Sequence, residues 1–238
     1  MLDRGITVKY AVILAGGKGT RLRPYTVTLP KPLVPIGDTP IIEITIRRLA
    51  RARFDLATLA VNHMADLIRA YFGNGEKFGV PLRYSLEPEP LGTFGPLRLL
   101  ADLPEQFLVM NADVLTDLDL GVFLDRHIGS GAAFTIAATR RDHVLDFGVL
   151  GVEGERLVSF REKPTLSQTV SMGIYGVSRR ALDFIPPQGP FGFDELMHKM
   201  LAAGERVDVH HHDGYWLDIG RPEDYELATQ KFAPTLDR

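Results

Sequence analysis

Apolar residues in this chain fall into short runs and spaced stripes, and their spacing predicts the elements. Lys9 to Leu14 (KYAVIL) is an apolar run that ends at Gly16-Gly17, which predicts a buried first strand and a tight loop. From Thr39 to Phe54 the apolar positions Ile42, Ile46, Leu49 and Ala50 recur at helical spacing, with Arg47, Arg48 and Arg51 between them. Pro40 suits the first turn of that helix and Thr39 its cap. Leu56–Val61 predicts a strand, Met64–Phe72 a helix, Leu82–Leu86 a strand, Gly95–Leu103 a helix and Gln106–Met110 a strand. This alternation implies parallel strands covered by helices.

The second half is less regular. Ala132–Thr139, Gly148–Val152, Leu157–Phe160, Ser171–Val177 and Val207–His212 predict strands. Arg179–Ile185, Asp194–Ala203 and a closing Pro222–Phe232 predict helices. There is no repeat, low-complexity tract or linker, so one mixed α/β domain over residues 1–238 is expected.

Composition narrows the function classes. The chain has 238 residues, 45% hydrophobic and 24% charged, with a net charge of −3 that provides no global basic field for nucleic acid. It has no cysteine, which removes thiol catalysis, thiolate metal sites and disulfides and accords with a cytoplasmic setting. Met1 to Tyr10 carries charges and lacks a signal-peptide pattern, and no apolar window reaches the length of a membrane span.

Five segments carry chemistry. In the first, Leu14-Ala15-Gly16-Gly17-Lys18-Gly19-Thr20-Arg21, glycines after a strand let backbone N–H groups approach phosphates, and Lys18, Arg21 and Arg23 add charge. A Walker A loop needs a terminal Gly-Lys-Ser/Thr, and a dinucleotide fingerprint needs a glycine where Leu22 stands. A structural glycine turn is the third alternative. Against it, the loop runs into Pro30-Lys31-Pro32, where two prolines are expected to hold the lysine extended. The second segment, Asn111-Ala112-Asp113, follows a strand, where open α/β sheets bind ligands. Asp113 there can hold Mg²⁺ or cap the next helix. The third, Trp216-Leu217-Asp218-Ile219-Gly220, supplies a second carboxylate for the same metal or an exposed turn. The fourth, Glu162-Lys163-Pro164, offers an acid for a polyol and a cation for a phosphate, or a surface ion pair. The fifth, Glu87-Pro88-Glu89-Pro90-Leu91-Gly92-Thr93, gives close backbone approach to a flat ligand or an ordinary turn.

In this order the segments resemble the sugar-1-phosphate nucleotidylyltransferase family (NDP-sugar pyrophosphorylases). The family pattern is GG-x-G-T-R-L, P-K-P, L-G-T, an Asn/Gly-x-Asp, E-K-P and a late W-x-D-x-G. The resemblance covers about Tyr10 to Tyr225. Asn111-Ala-Asp113 is similar to the Asn-Ser-Asp of GDP-mannose enzymes, and the motifs resemble short-form guanylyltransferases of the GDP-mannose and GDP-heptose type. The resemblance implies a Rossmann-like mixed, mostly parallel β-sheet flanked by helices, the nucleotide-diphospho-sugar transferase fold. The nucleotide-binding half would span about residues 8–115 and the sugar-phosphate half about 116–232.

For this chain the resemblance implies nucleotide contacts from Leu14, Ala15, Gly16, Gly17, Gly19, Thr20, Glu87, Gly92 and Thr93. Arg21 and Lys31 would serve the phosphates and Asp113 and Asp218 would bind Mg²⁺, for which Mn²⁺ can substitute. Asn111, Gly148, Glu162 and Gly173 would meet the sugar and Lys163 its phosphate. Catalysis would rest on Arg21, Lys31, Asp113 and Lys163. The implied partners are a nucleoside triphosphate and a sugar 1-phosphate, with no nucleic acid or membrane, in a monomer or homodimer. Glu87 stands where many thymidylyl and uridylyl relatives have glutamine. A carboxylate only accepts hydrogen bonds, and guanine offers adjacent N1–H and N2–H₂ donors, which favours GTP. Ser171 stands where many members carry a sugar-contacting asparagine, so the sugar stays open. The alternatives are a catalytically silent regulatory relative, or an enzyme using UTP, dTTP or CTP, or a non-sugar phosphate acceptor. His210-His211-His212 alternates faces in a strand and makes a poor three-ligand site. Trp216 reads as core packing.

Overall fold

A computed structural model describes residues 8–231. The expected assignments over Met1 to Thr7 and at Phe232 fall outside the described residues. Strand β1 (Tyr10–Ala15) is followed by two short strands, β2 (Pro35–Ile36) and β3 (Thr39–Pro40), then helix α1 (Ile41–Arg51), β4 (Leu56–Val61), α2 (Ala65–Phe72) and β5 (Leu82–Leu86). Next come β6 (Gln106–Asn111), β7 (Val114–Thr116), α3 (Leu120–Ser130), β8 (Phe134–Val144), β9 (Val149–Glu153), β10 (Arg156–Arg161) and β11 (Thr165–Ser178). Helix α4 (Phe193–Ala202), β12 (Val207–His211), β13 (Trp216–Asp218) and α5 (Pro222–Lys231) complete the order.

Seven strands form the central sheet in the order β12-β8-β11-β6-β1-β4-β5. Strands β6, β1, β4 and β5 run parallel, as the alternation in the first half implies. Strand β11 alone runs against its neighbours β6 and β8, and β12 runs with β8. Side chains alternate across the sheet. From β1, Ala11 and Ile13 enter one core and Tyr10 and Val12 the other; from β6, Leu108 and Met110 oppose Phe107 and Val109. Helices α1, α2 and α3 cover the first face through Ile42, Ile46, Leu49, Ile68, Phe72 and Phe123, while α4 covers the second through Leu196 and Met200. Two helix-bearing layers on a mostly parallel sheet place the loops after β1, β4, β5 and β6 together at its carboxyl edge, where such sheets bind ligands.

Some expectations are corrected. Helix α1 begins one residue later than its expected first turn, because Pro40 is extended and pairs with Pro35 across the β2–β3 turn. Gly95–Leu103 forms only a 3-10 turn over Gly95–Leu99, ended by an extended Leu100. Arg179–Ile185 is likewise 3-10, over Arg179–Phe184. Helix α3 was not expected. Its two internal glycines, Gly121 and Gly129, hide a helix that Asp119 caps (Oδ1 accepts from Val122 N, 2.9 Å) and left-handed Gly131 stops. Strands β8 and β11 run beyond the expected segments as a two-stranded arm. With the β9–β10 hairpin it projects from the sheet, and most of its residues are exposed.

His127 of α3 is fully buried between Thr135 Oγ1 (2.7 Å from Nδ1) and Ser178 Oγ (3.3 Å from Nε2). Burial lowers its imidazole to about 4. The folded value lies below the unfolded one, near 6.5, so the unfolded chain binds the proton more readily. This contribution to stability is complete above about pH 6.5 and is lost progressively as pH falls towards 4. Denaturant midpoints measured at pH 7.5 and 5 are expected to fall less in His127→Asn than in the parent chain. Equal falls would show that His127 is not the linked group.

Candidate active site

The loop after β1 is built for close approach. Gly16 lies over the Glu87 carboxylate, so a Cβ at position 16 would run into Oε1 of Glu87. Gly19 adopts the left-handed conformation (φ 62°), and a Cβ there would lie 2.9 Å from Lys31 Cβ and 3.0 Å from Thr26 Cγ2. Thr26 Oγ1 donates to the Gly19 carbonyl at 2.7 Å, which locks the loop to the segment carrying Lys31. Within the short 3-10 turn Thr20–Leu22, Leu22 is fully buried and Arg21 is exposed. The buried leucine anchors the turn while the guanidinium faces the cleft. Lys31 does not stay extended between its prolines. Pro30 is extended, and Lys31–Leu33 closes as a 3-10 turn with Leu33 N bonded to the Pro30 carbonyl.

Lys31 Nζ pairs with Asp113 Oδ2, in the turn after β6. Strand β13 pairs antiparallel with β7, setting Asp218 opposite Val114, and Ile219 N donates to the Asp113 carbonyl at 2.9 Å. Two carboxylates far apart in sequence are thereby held together. Burial and the neighbouring Asp113 charge raise the Asp218 carboxyl above its usual range, against the pull of Lys31 and Arg21. Oδ1 of Asp113 and Oδ1 of Asp218 are both buried and have no hydrogen-bond partner among the described residues. Buried acceptors left unpaired are costly, and hard oxygen donors suit a divalent cation that takes its other ligands from phosphates and water.

On the other side of the loop, Glu87 is buried, accepts from Leu91 N at 3.3 Å, and is raised by burial more than that hydrogen bond lowers it. Gly92 has φ 78°, and a Cβ there would stand 2.6 Å from the Phe191 carbonyl. That same carbonyl accepts from Phe94 N and Gly95 N, which ties the proline-bounded turn to the segment leading into α4. Asn62, just past β4, donates to the Glu87 carbonyl. Sequence reasoning missed Asn62; it named Phe191, with Phe193, as either shaping the sugar pocket or packing in the core, and Phe191 is buried. Position at the carboxyl end of a parallel strand was a usable signal for Asn62.

These groups enclose a cleft of about 530 Å³. Its walls include Leu14 to Arg21, Lys31, Glu87, Gly92, Thr93, Asn111 and Asp113, so every expected nucleotide residue is brought together. Gly148, Glu162 and Lys163 lie outside these walls, on the arm. A Cβ at Gly148 would lie 3.3 Å from Glu162 Oε2, and Lys163 carries φ 41°. Gly173 joins the two regions, since a Cβ there would sit 2.8 Å from Asn111 Nδ2. Of His210 to His212, expected to make a poor three-ligand site, His212 Nε2 meets Asp117 Oδ1 at 2.7 Å. Among the described residues no helix is long and apolar enough to cross a membrane.

The chain is 34% identical over 240 residues to a protein named mannose-1-phosphate guanyltransferase from Candida albicans, an alignment covering 95% of this chain and 65% of that protein. It is 33% identical over 239 residues to a UTP–glucose-1-phosphate uridylyltransferase from Synechocystis sp., covering 92% and 62%. The chain thus spans less than two thirds of these relatives' length. Two crystal structures of HddC from Yersinia pseudotuberculosis, one complexed with GMP-PN, match with TM-scores of 0.75 and 0.74 at 26% and 25% identity. Each match covers 94% of this chain and 100% of that one. The architecture is the nucleotide-diphospho-sugar transferase fold. The model of the family described as Nucleotidyl transferase matches residues 10–234, from the first residue of β1 past the end of α5, and the chain belongs to that family.

Proposed function

We propose that this chain transfers a nucleoside monophosphate from a triphosphate, with GTP favoured, to a sugar 1-phosphate, releasing pyrophosphate. The carrying observation is the pair of unpartnered buried oxygens, Asp113 Oδ1 and Asp218 Oδ1, beside a glycine loop that bears Arg21 and faces Lys31. The reaction needs no general base, because the attacking phosphate oxygen is already an anion at neutral pH. The burden is to bring two polyanions together and offset charge in the transition state. Backbone from Leu14 to Thr20 cradles the triphosphate, Arg21 polarises the α-phosphate, and Lys31 neutralises the departing pyrophosphate. Glu162 holds the sugar, and Lys163 orients its phosphate. Asp113 and Asp218 would hold Mg²⁺, or Mn²⁺ in its place, which would supply Lewis-acid charge neutralisation for the transfer.

The relatives, mannose-1-phosphate guanyltransferases among them, support the reaction class, and Glu87 supports guanine. The whole of residues 8–231 acts as one catalytic unit in this reading. Five triphosphates offered with mannose 1-phosphate, read by pyrophosphate release, test it. GTP is expected to give the highest kcat/KM. A clear advantage for UTP or dTTP would overturn the base assignment, and silence with all five across a panel of sugar 1-phosphates would overturn the reaction.

A further inference from the structure

Strand β11 breaks step at the edge of the cleft. Ser171 faces Ala138 and Tyr175 faces Ile136, so four steps along β11 match two along β8. The surplus is a bulge containing Met172 and left-handed Gly173 (φ 73°), and such bulges redirect backbone next to functional sites. Gly173 N donates to Ser171 Oγ at 3.2 Å, and Gly173 itself lies against Asn111, in the wall of the cleft. One bond to the bulge comes from outside this sheet. Trp216 Nε1 donates to the Met172 carbonyl at 2.9 Å.

Trp216 lies two residues before Asp218 in the three-residue strand β13, so the two side chains leave the same face. The Arg141 guanidinium, on the β8–β11 arm, lies over the indole at 5.7 Å from its centroid. Three structures therefore meet at one side chain: the bulge beside Asn111, the arm carrying Gly148 and Glu162, and the strand carrying Asp218. Core packing explains the half-buried ring but not an indole N–H spent on a bulge carbonyl.

We infer that Trp216 is a positioning residue for the acceptor substrate. It holds the β11 bulge at the distance from Asp218 that lets a phosphorylated sugar reach the carboxylate pair. This rests on the proposed transferase reaction. Nucleotide binding does not depend on the indole N–H, because the glycine loop, Glu87 and Gly92 are fixed by other contacts.

Trp216 is the only tryptophan, so one indole N–H resonance reports its bond. In the full chain with Mg²⁺, that resonance is expected to exchange slowly with solvent and to shift on adding mannose 1-phosphate, but not on adding GTP alone. Trp216→Phe keeps an aromatic ring and removes the donor. Its KM for mannose 1-phosphate is expected to rise about tenfold, equivalent to about 1.4 kcal/mol, with the KM for GTP changed less than about twofold. An unchanged sugar-phosphate KM, or equal rises in both KM values, would overturn the role. If the variant does not fold, the parent's indole resonance decides: insensitivity to the sugar phosphate during active turnover defeats the proposal. Failure of the parent to turn over any sugar 1-phosphate would instead defeat the functional reading, and this inference with it.

Discussion

Replacing Asp113 by alanine is expected to lower turnover at least ~100-fold, about 2.7 kcal/mol of barrier, in a chain that remains folded. The two halves of this expectation have separate causes. Turnover falls because Asp113 supplies one of the two unpartnered oxygens and also holds Lys31 in the cleft. Folding survives because two opposing changes offset. The Lys31 pair is lost, which costs stability, but the repulsion that raises the Asp218 carboxyl is relieved. Active sites commonly hold such like-charge strain, so its removal trades activity for stability. Turnover and the thermal midpoint measured on the same sample check both halves. Asp113→Asn, which keeps the shape and removes the charge, is expected to lose activity to a similar degree. Near-parent turnover in either folded variant would remove Asp113 from the reacting centre.

The site was partly legible because its key residues announce themselves locally. An apolar run into Gly16-Gly17 fixes a strand and a loop without tertiary information, and the observed β1 ends at Ala15. Asp113 was placed by one rule, that a polar turn after a parallel strand faces the ligand edge, and β6 obeys it. Lys31 shows the limit. Flanking prolines restrict its neighbours, yet Lys31 enters a 3-10 turn and lies against Gly19, a contact that is not local in the pattern. Long-range pairing was equally hidden. Nothing near Asp218 states that β13 will lie beside β7, and nothing near Phe191 states that its carbonyl will receive the turn after Gly92. The bulge in β11 escaped for a related reason. Ser171–Val177 alternates well enough to predict a strand, and the two surplus residues appear only when β8 and β6 are both in register with it.

Glu87→Gln is expected to reduce kcat/KM for GTP about 30-fold while leaving UTP within a few-fold of the parent. The effect follows from the place of the carboxylate. It is buried under Gly16, with Oε2 already accepting from Leu91 N. A carboxylate there accepts from two adjacent N–H donors, and charge-assisted bonds of this kind are about twice as strong as neutral ones. Glutamine keeps the volume and one acceptor but turns a donor towards the guanine N–H edge. The loss of about 2 kcal/mol combines the missing bond with that mismatch. The same residue predicts a pH dependence. Burial raises the Glu87 carboxyl above its usual value, with the Leu91 bond only partly opposing, so protonation begins at higher pH than for an exposed glutamate. A protonated Glu87 presents a donor, so kcat/KM for GTP is expected to fall as pH drops through that raised value. Glu87→Gln cannot titrate and is expected to lack this acid limb, which separates base recognition from any general loss of stability in acid. An unchanged ratio of GTP to UTP in the variant, or an acid limb that persists in it, would assign base selection to other residues of the cleft.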